Sequence, residues 1–197
     1  MAKDFFINKI PHNGMTFEKY SELADEKVNN EAAVTDEKEK ELLEYTKLNV
    51  HRTGRINKTY KVSEELKEVI SKIGKKQLWM MITEDWCGDS AQNLPYIAKM
   101  AEESENIDLK IIYRDENLDI MDQYLTNGTS RSIPKLVAFD EDGEELFQWG
   151  PRPQELVELV EQWKTEMEPK EWKEKIQLFY GRNRGKAIEQ EFIDLLK

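Results

Sequence analysis

The sequence has few of the residues that hold metal ions or close disulfides. It contains one cysteine and two histidines in 197 residues, so no disulfide can form within the chain and no metal-ligand spacing is present. A glycine-rich phosphate loop and a G-x-S-x-G sequence are absent as well. We therefore expect a protein without a bound metal or other cofactor.

Long apolar stretches and an excess of positive charge are also missing. No stretch approaches the ~18 apolar residues of a membrane span, and no apolar signal core follows the first lysines. The net charge of −11 argues against binding to nucleic acid or to an anionic membrane. We expect a cytoplasmic location, where a single thiol stays reduced. The sequence leaves the oligomeric state open.

The negative charge is concentrated in the middle of the chain. Residues 77–166 carry 20 acidic and 7 basic side chains, whereas segments 1–76 and 167–197 each have a net charge of +1. The middle segment also contains the cysteine. We predict a functional domain over 77–166, with helical extensions over 1–76 and 167–197.

Both extensions contain apolar side chains at helical spacing. Ser63 is a typical N-cap for a helix that ends near Gly74, and further helices are predicted over 16–24 and 36–50. The apolar stripes are Leu66, Val69, Ile70 and Ile73 in the first extension and Trp172, Ile176 and Phe179 in the second. Because stripes of this size are rarely left in water, we expect them to pack against the middle domain.

The middle segment alternates between strand and helix patterns. An unbroken apolar run over 78–82 is typical of a strand that is covered on both faces. The patterns that follow are a helix to about 103, a strand over 109–113, a helix over 118–125, strands over 135–139 and 144–149, and a helix from 154. The order β-α-β-α-β-β-α predicts an α/β fold with a mixed sheet flanked by helices.

Several motifs in this segment carry a resemblance to a known family. Trp86-Cys87-Gly88-Asp89-Ser90 lies at a strand-to-helix junction, Pro95 follows in the helix, and Ile133-Pro134 precedes a strand. The segment resembles the thioredoxin fold, in a single-cysteine, Cys-x-x-Ser form similar to a bacterial branch with helical extensions. The resemblance implies that Pro134 is cis and faces Cys87. It also implies substrate contacts by Trp86, Gly88, Asp89, Ile133 and Pro134.

The sequence departs from the family pattern at two positions that bear on chemistry. Ser90 replaces the second cysteine, so the chain cannot resolve a mixed disulfide with a thiol of its own. Met81 stands where the family keeps a buried aspartate that accepts a proton during that resolution. Both departures are consistent with a protein that acts through one thiol.

The position of Cys87 favours a reactive thiol on physical grounds. A helix N-terminus stabilises the thiolate and lowers its pKa, whereas carboxylates at Glu84, Asp85 and Asp89 oppose a second negative charge. The sequence alone does not determine whether the pKa of Cys87 is raised or lowered overall. We expect Cys87 to be exposed, Glu84 and Asp85 to point into solvent, and Asp89 to be able to cap the helix. Ser90 either donates to the thiolate or caps the helix.

Two functions remain open. In the first, Cys87 attacks a disulfide in a protein or in a low-molecular-weight compound and forms a mixed disulfide. An external thiol then releases Cys87. In the second, the groove of Trp86, Ile133 and Pro134 holds an extended partner segment without redox chemistry. With Arg131 and Lys135 as the only nearby cations facing an acidic rim, the first function favours a basic protein substrate over anionic glutathione.

One further motif lies in the C-terminal extension. Gly181-Arg182-Asn183-Arg184-Gly185 places two arginines between glycines. Helical spacing on both sides predicts a turn between two helices. The alternative is a contact to phosphate or RNA.

Overall fold

The computed structural model describes residues 3–7 and 10–197. The chain begins with a short antiparallel hairpin, which the sequence analysis did not predict because two-residue strands leave no periodic pattern. Three helices follow it. The elements are β1 (Phe6–Ile7), β2 (Ile10–Pro11), α1 (Phe17–Asn29), a 3₁₀ turn (Glu31–Ala33), α2 (Glu37–Thr59) and α3 (Glu64–Ser71).

The middle segment has the predicted order of strands and helices. Its elements are β3 (Gln77–Thr83), α4 (Gly88–Ala101), β4 (Ile107–Tyr113), α5 (Leu118–Met121), β5 (Lys135–Phe139), β6 (Glu145–Trp149) and α6 (Gln154–Glu166). Two helices complete the chain, α7 (Pro169–Asn183) and α8 (Lys186–Leu195). The prediction for α5 was too long, because the chain leaves the helix well before the left-handed pair Asn127 and Gly128.

The sheet has the strand order β4-β3-β5-β6. Strands β3 and β4 are parallel, while β5 is antiparallel to both β3 and β6. Every residue of β3 from Leu78 to Thr83 is buried, as expected for a central strand covered on both faces. The predicted α/β fold with a mixed sheet flanked by helices is therefore confirmed.

The two faces of the sheet have separate apolar cores. Trp79 and Met81 face one side, where they pack with α3, α4 and α8. Their neighbours Leu78, Met80 and Ile82 face the other side, with α5 and Phe5. Side chains alternate between faces along a strand, so β3 supplies both cores.

The two extensions are buried in different ways. Leu66 and Ile70 of α3 are fully buried in the same core as Trp79. Phe192 of α8 also reaches this core, with its ring centroid 5.4 Å from that of Trp79. In contrast, α7 packs Ile176 against α6 in a smaller, separate cluster. Only part of the C-terminal extension thus contacts the sheet core.

Candidate functional site

Cys87 lies where the central strand gives way to a helix. It occupies the N-cap of α4, and no side chain caps that helix end. Its backbone N–H donates to the carbonyl of Glu84 at 3.1 Å, which closes a turn after β3. The first N–H groups of α4 have no intrahelical partner and face the cysteine side chain.

The sulfur of Cys87 contacts the loop before β5. Its Sγ donates to the carbonyl oxygen of Ile133 at 3.5 Å, and the Ile133–Pro134 peptide bond is cis. The Ser90 side chain and the N–H groups of Asp89 and Ser90 also act on this thiol, and each of them lowers its pKa. The structure thus brings Cys87, Ser90, Ile133 and Pro134 together.

Cys87 is less accessible than the sequence led us to expect. The residue is 8% exposed and belongs to an apolar cluster with Ile133, at whose edge Trp86 is partly buried. Burial raises the pKa of the Cys87 thiol, and the charge of Asp89 raises it further. Hydrogen bonds from Ser90 and from the helix N–H groups lower it but do not reverse the shift.

The Ser90 side chain is buried in the first turn of α4. Its hydroxyl accepts from Thr83 at 2.6 Å, so its own proton is available for Cys87 Sγ. Ser90 is the third residue of α4 and does not occupy the N-cap. The N-cap position is therefore occupied by Cys87 rather than by Ser90, and the role of Ser90 as a donor to the thiolate stays a prediction.

Asp89 neither caps the helix nor lies free in solvent. One carboxylate oxygen accepts from Arg152 at 2.5 Å and the other accepts from the Tyr180 hydroxyl at 2.7 Å. Asn93 donates to that same hydroxyl at 3.0 Å. The negative charge of Asp89 is therefore balanced by Arg152, and its hydrogen bonds come from residues more than 60 positions away in the sequence.

The expectation that Glu84 and Asp85 point into solvent and form an acidic rim is wrong, because both residues are buried. Glu84 accepts from the N–H of Asp115 at 2.8 Å. Asp85 accepts from Lys27 at 3.0 Å and from Thr46 at 3.1 Å, so α1 and α2 cover it. Burial raises the pKa of Glu84 to about 7.

Cations other than the expected Arg131 and Lys135 also lie around the cysteine motif. Arg131 is bound to Asp122 at 2.6 Å. The guanidinium of Arg114 lies 5.2 Å above the Trp86 ring. The guanidinium of Arg52 is 3.4 Å from where a side chain on Gly88 would begin. Sequence reasoning missed Arg52, Arg114 and Arg152, because each belongs to an element distant in the chain from the cysteine motif.

The described residues contain neither a metal-ligand cluster nor a membrane-spanning helix. Within 3–7 and 10–197, no three histidine, cysteine, aspartate or glutamate side chains are grouped so that they could hold a metal ion. No helix in that part of the chain combines the length and apolarity needed to cross a bilayer.

The fold and the cysteine site define a thioredoxin-like protein. Residues 35–164 match a family described as thioredoxin. Since this match spans more than half of the chain, the protein belongs to that thioredoxin family. No curated protein shows significant sequence similarity to the chain.

Two solved structures share the fold at low sequence identity. One is a protein of unknown function from Pseudomonas aeruginosa, with a TM-score of 0.64 and 15% identity over 93% of this chain and 92% of that one. The other is an HIV epitope scaffold, with a TM-score of 0.59 and 15% identity over 92% of this chain and 98% of that one. At this identity the likeness concerns the fold alone.

Proposed function

We propose that the protein catalyses thiol–disulfide exchange through Cys87 alone. The observation that carries this proposal is the position of Sγ, at the N-terminus of α4 and 3.5 Å from the Ile133 carbonyl. Three donor groups, the Ser90 side chain and the N–H groups of Asp89 and Ser90, act to lower the pKa of this thiol. Such donors stabilise a thiolate, which is the nucleophile in disulfide exchange.

The exchange proceeds in two substitutions at sulfur. The Cys87 thiolate attacks one sulfur of a substrate disulfide, the substrate S–S bond breaks, and the departing thiolate takes a proton from solvent. An external thiol, deprotonated to its thiolate, then attacks the substrate sulfur of the mixed disulfide and releases Cys87 as thiolate. The electrons balance because one disulfide is consumed and one is formed. The external thiol is needed because Ser90 has no sulfur with which to resolve the mixed disulfide.

The substrate is a protein or low-molecular-weight disulfide. The acidic residues next to Cys87 are paired or buried, so they give no reason to favour a basic substrate. Trp86 and Ile133 form the apolar edge of the site. Because Cys87 is 8% exposed, the incoming disulfide must displace neighbouring side chains before the two sulfurs meet.

Intact-mass spectrometry tests this proposal directly. Cys87 is the only cysteine, so every thiol adduct on the chain reports this site. The native protein is incubated with 2-hydroxyethyl disulfide, glutathione disulfide or a disulfide-bonded peptide, and Cys87→Ser is the control. We expect a single adduct on the wild type that an added thiol removes. A chain that stays unmodified in its native state with all three disulfides contradicts the mechanism.

A redox-silent binding module is the second candidate, and the burial of Cys87 with its raised pKa favours it. In this case Trp86, Ile133 and Pro134 hold an extended segment of a partner. Isolation of the protein from cells under conditions that trap free thiols distinguishes the two functions. Disulfide-linked partners on Cys87 support exchange, whereas a uniformly free thiol and partners retained by Cys87→Ser support the binding module.

A further inference from the structure

A cleft with a volume of about 640 Å³ lies away from Cys87, beside the turn that joins α7 to α8. Its walls come from the C-terminal end of α2, from Tyr96 on α4 and from the end of α7. Three cationic side chains line it, Arg55, Lys61 and Arg184. The volume lies in the range of small-molecule sites, about 300–1,000 Å³.

The two arginines have no acidic partner. Among the ion pairs and hydrogen bonds of the described residues, none involves the side chain of Arg55 or Arg184. Glu189 also lines the cleft, but its carboxylate already accepts from the Tyr60 hydroxyl at 2.8 Å and from the Ser63 N–H at 3.2 Å. With three cations and one carboxylate, the cleft has a formal charge of +2 in a chain of net charge −11.

The fold holds these cations close to one another. The charges of Arg55 and Arg184 both lower the pKa of the Tyr96 hydroxyl, against the larger effect of burial, so both lie near that hydroxyl. The charge of Arg55 also lowers the pKa of Arg52, after the larger effect of burial. Like charges repel, so this grouping favours a bound anion.

The turn that carries Arg184 is fixed against Tyr96. Arg184 is left-handed with φ 53°, and Gly185 follows with φ 86°. A Cβ on Gly185 would lie 2.3 Å from a ring carbon of Tyr96, so only glycine permits this approach. Gly181, one turn earlier in α7, also lines the cleft, and a Cβ there meets nothing within 4 Å.

We propose that this cleft binds a small molecule that carries a phosphate group. Arg55 and Arg184 present guanidinium groups from two sides, and guanidinium binds phosphate oxygens through paired N–H groups. Lys61 adds a third positive charge, and the Tyr96 hydroxyl adds a donor. The rings of Tyr60 and Tyr96 form an apolar wall for the rest of the ligand. Cys87 does not line this cleft, although Tyr180, whose hydroxyl donates to Asp89, does. Binding here does not depend on thiol chemistry.

Calorimetric titration of the full chain at constant ionic strength tests the site. The probes are inorganic phosphate, pyrophosphate and adenosine diphosphate. Comparing them shows whether phosphate alone binds or whether an attached organic group is also needed. We expect saturable binding to the wild type. Arg55→Gln and Arg184→Gln should each weaken it about tenfold or more, as expected for the loss of a charged hydrogen-bond donor.

Arg182→Gln is the matched control, because Arg182 belongs to the same turn sequence but lines a different groove, with Trp163 and Phe179. This variant should bind as the wild type does. Equal weakening by Arg182→Gln and Arg184→Gln indicates a general charge effect and overturns the site, as does the absence of saturable binding by every probe. Cys87→Ser should bind normally, which separates this proposal from the proposed exchange reaction.

Discussion

Charged side chains are paired near Cys87 but not at the cleft beside the α7–α8 turn. Near Cys87, in the acidic middle of the sequence, Asp85 and Asp89 each have a cationic partner. At the cleft, in segments whose net charge is close to zero, neither Arg55 nor Arg184 forms an ion pair with any residue that the structure describes. Segment totals therefore say little about the field at a particular site, which depends on how distant elements pair their side chains.

The largest effect is expected from breaking the compensation near Cys87. Arg152→Ala leaves the Asp89 carboxylate, whose side chain is 13% exposed, without its cation. We expect a loss of about 3 kcal/mol in the free energy of unfolding, measured in urea. Asp89→Asn combined with Arg152→Gln should recover part of it.

Arg131→Ala is the control for that experiment, because the Arg131–Asp122 pair is exposed. It should change stability little, since exposed pairs contribute little. An Arg152→Ala variant that is as stable as this control would show that the buried pair does not compensate Asp89.

At the cleft, Gly185→Ala should disturb the turn itself. The substitution forces a side chain into a left-handed backbone at φ 86° and against the Tyr96 ring. We expect a destabilisation of about 2 kcal/mol in thermal or urea unfolding. Gly54→Ala is the control, because Gly54 lies within α2 and a Cβ there meets nothing within 4 Å. It should stabilise the helix by about 0.5–1 kcal/mol.

The pH dependence of stability sharpens the comparison, because Glu84 is buried next to the site and forms no ion pair within residues 3–7 and 10–197. A carboxylic acid with a higher pKa in the folded chain than in the unfolded chain stabilises the fold while protonated. Its contribution is fully present below the unfolded pKa and is lost as the pH rises towards the folded pKa. For Glu84 this window runs from about pH 4.5 to about pH 7.

Glu84→Gln retains an oxygen for the Asp115 N–H and cannot ionise. The free energy of unfolding of the wild type, minus that of this variant, should therefore fall across the same window. Chemical denaturation at a series of pH values measures the difference. A difference that stays flat would place the folded pKa of Glu84 near its ordinary value.

The smallest effects concern the reactivity of Cys87 itself. Alkylation of the native thiol by iodoacetamide should be slow at neutral pH and should increase with pH above the ordinary thiol pKa of ~8.5, because burial raises the pKa. Asp89→Asn should lower that pKa, since it removes the nearby negative charge. Ser90→Ala should raise it, since it removes a donor. Rate–pH profiles of the three proteins measure these shifts, and labelling only after denaturation excludes the exchange mechanism.

Much of the fold could be predicted because its signals are local. Thr16, Asp36 and Ser63 were identified as helix starts, and each side chain accepts from the N–H three residues later. The apolar run of β3 identified the central strand. The N-terminal hairpin and the early end of α5 could not be predicted, because both involve very short elements whose formation depends on packing against the rest of the fold.

The candidate site was predictable only where it is contiguous in sequence. Cys87 and Ser90 lie on one helix turn, and the Ile133-Pro134 pair is recognisable as a motif. The burial of Cys87 was missed, since exposure is decided by neighbouring elements. The role of Tyr180 was missed for the same reason, because no local pattern shows that α7 reaches Asp89.

The polar contacts around Cys87 also bear on how the chain can be divided. The family match covers residues 35–164, but Lys27 and Tyr180 lie outside it. A fragment cut at those boundaries would leave Asp85 without its cation and Asp89 and Asn93 without the tyrosine hydroxyl. A piece that preserves these polar contacts must therefore include at least residues 27 to 180, well beyond the family boundary on both sides.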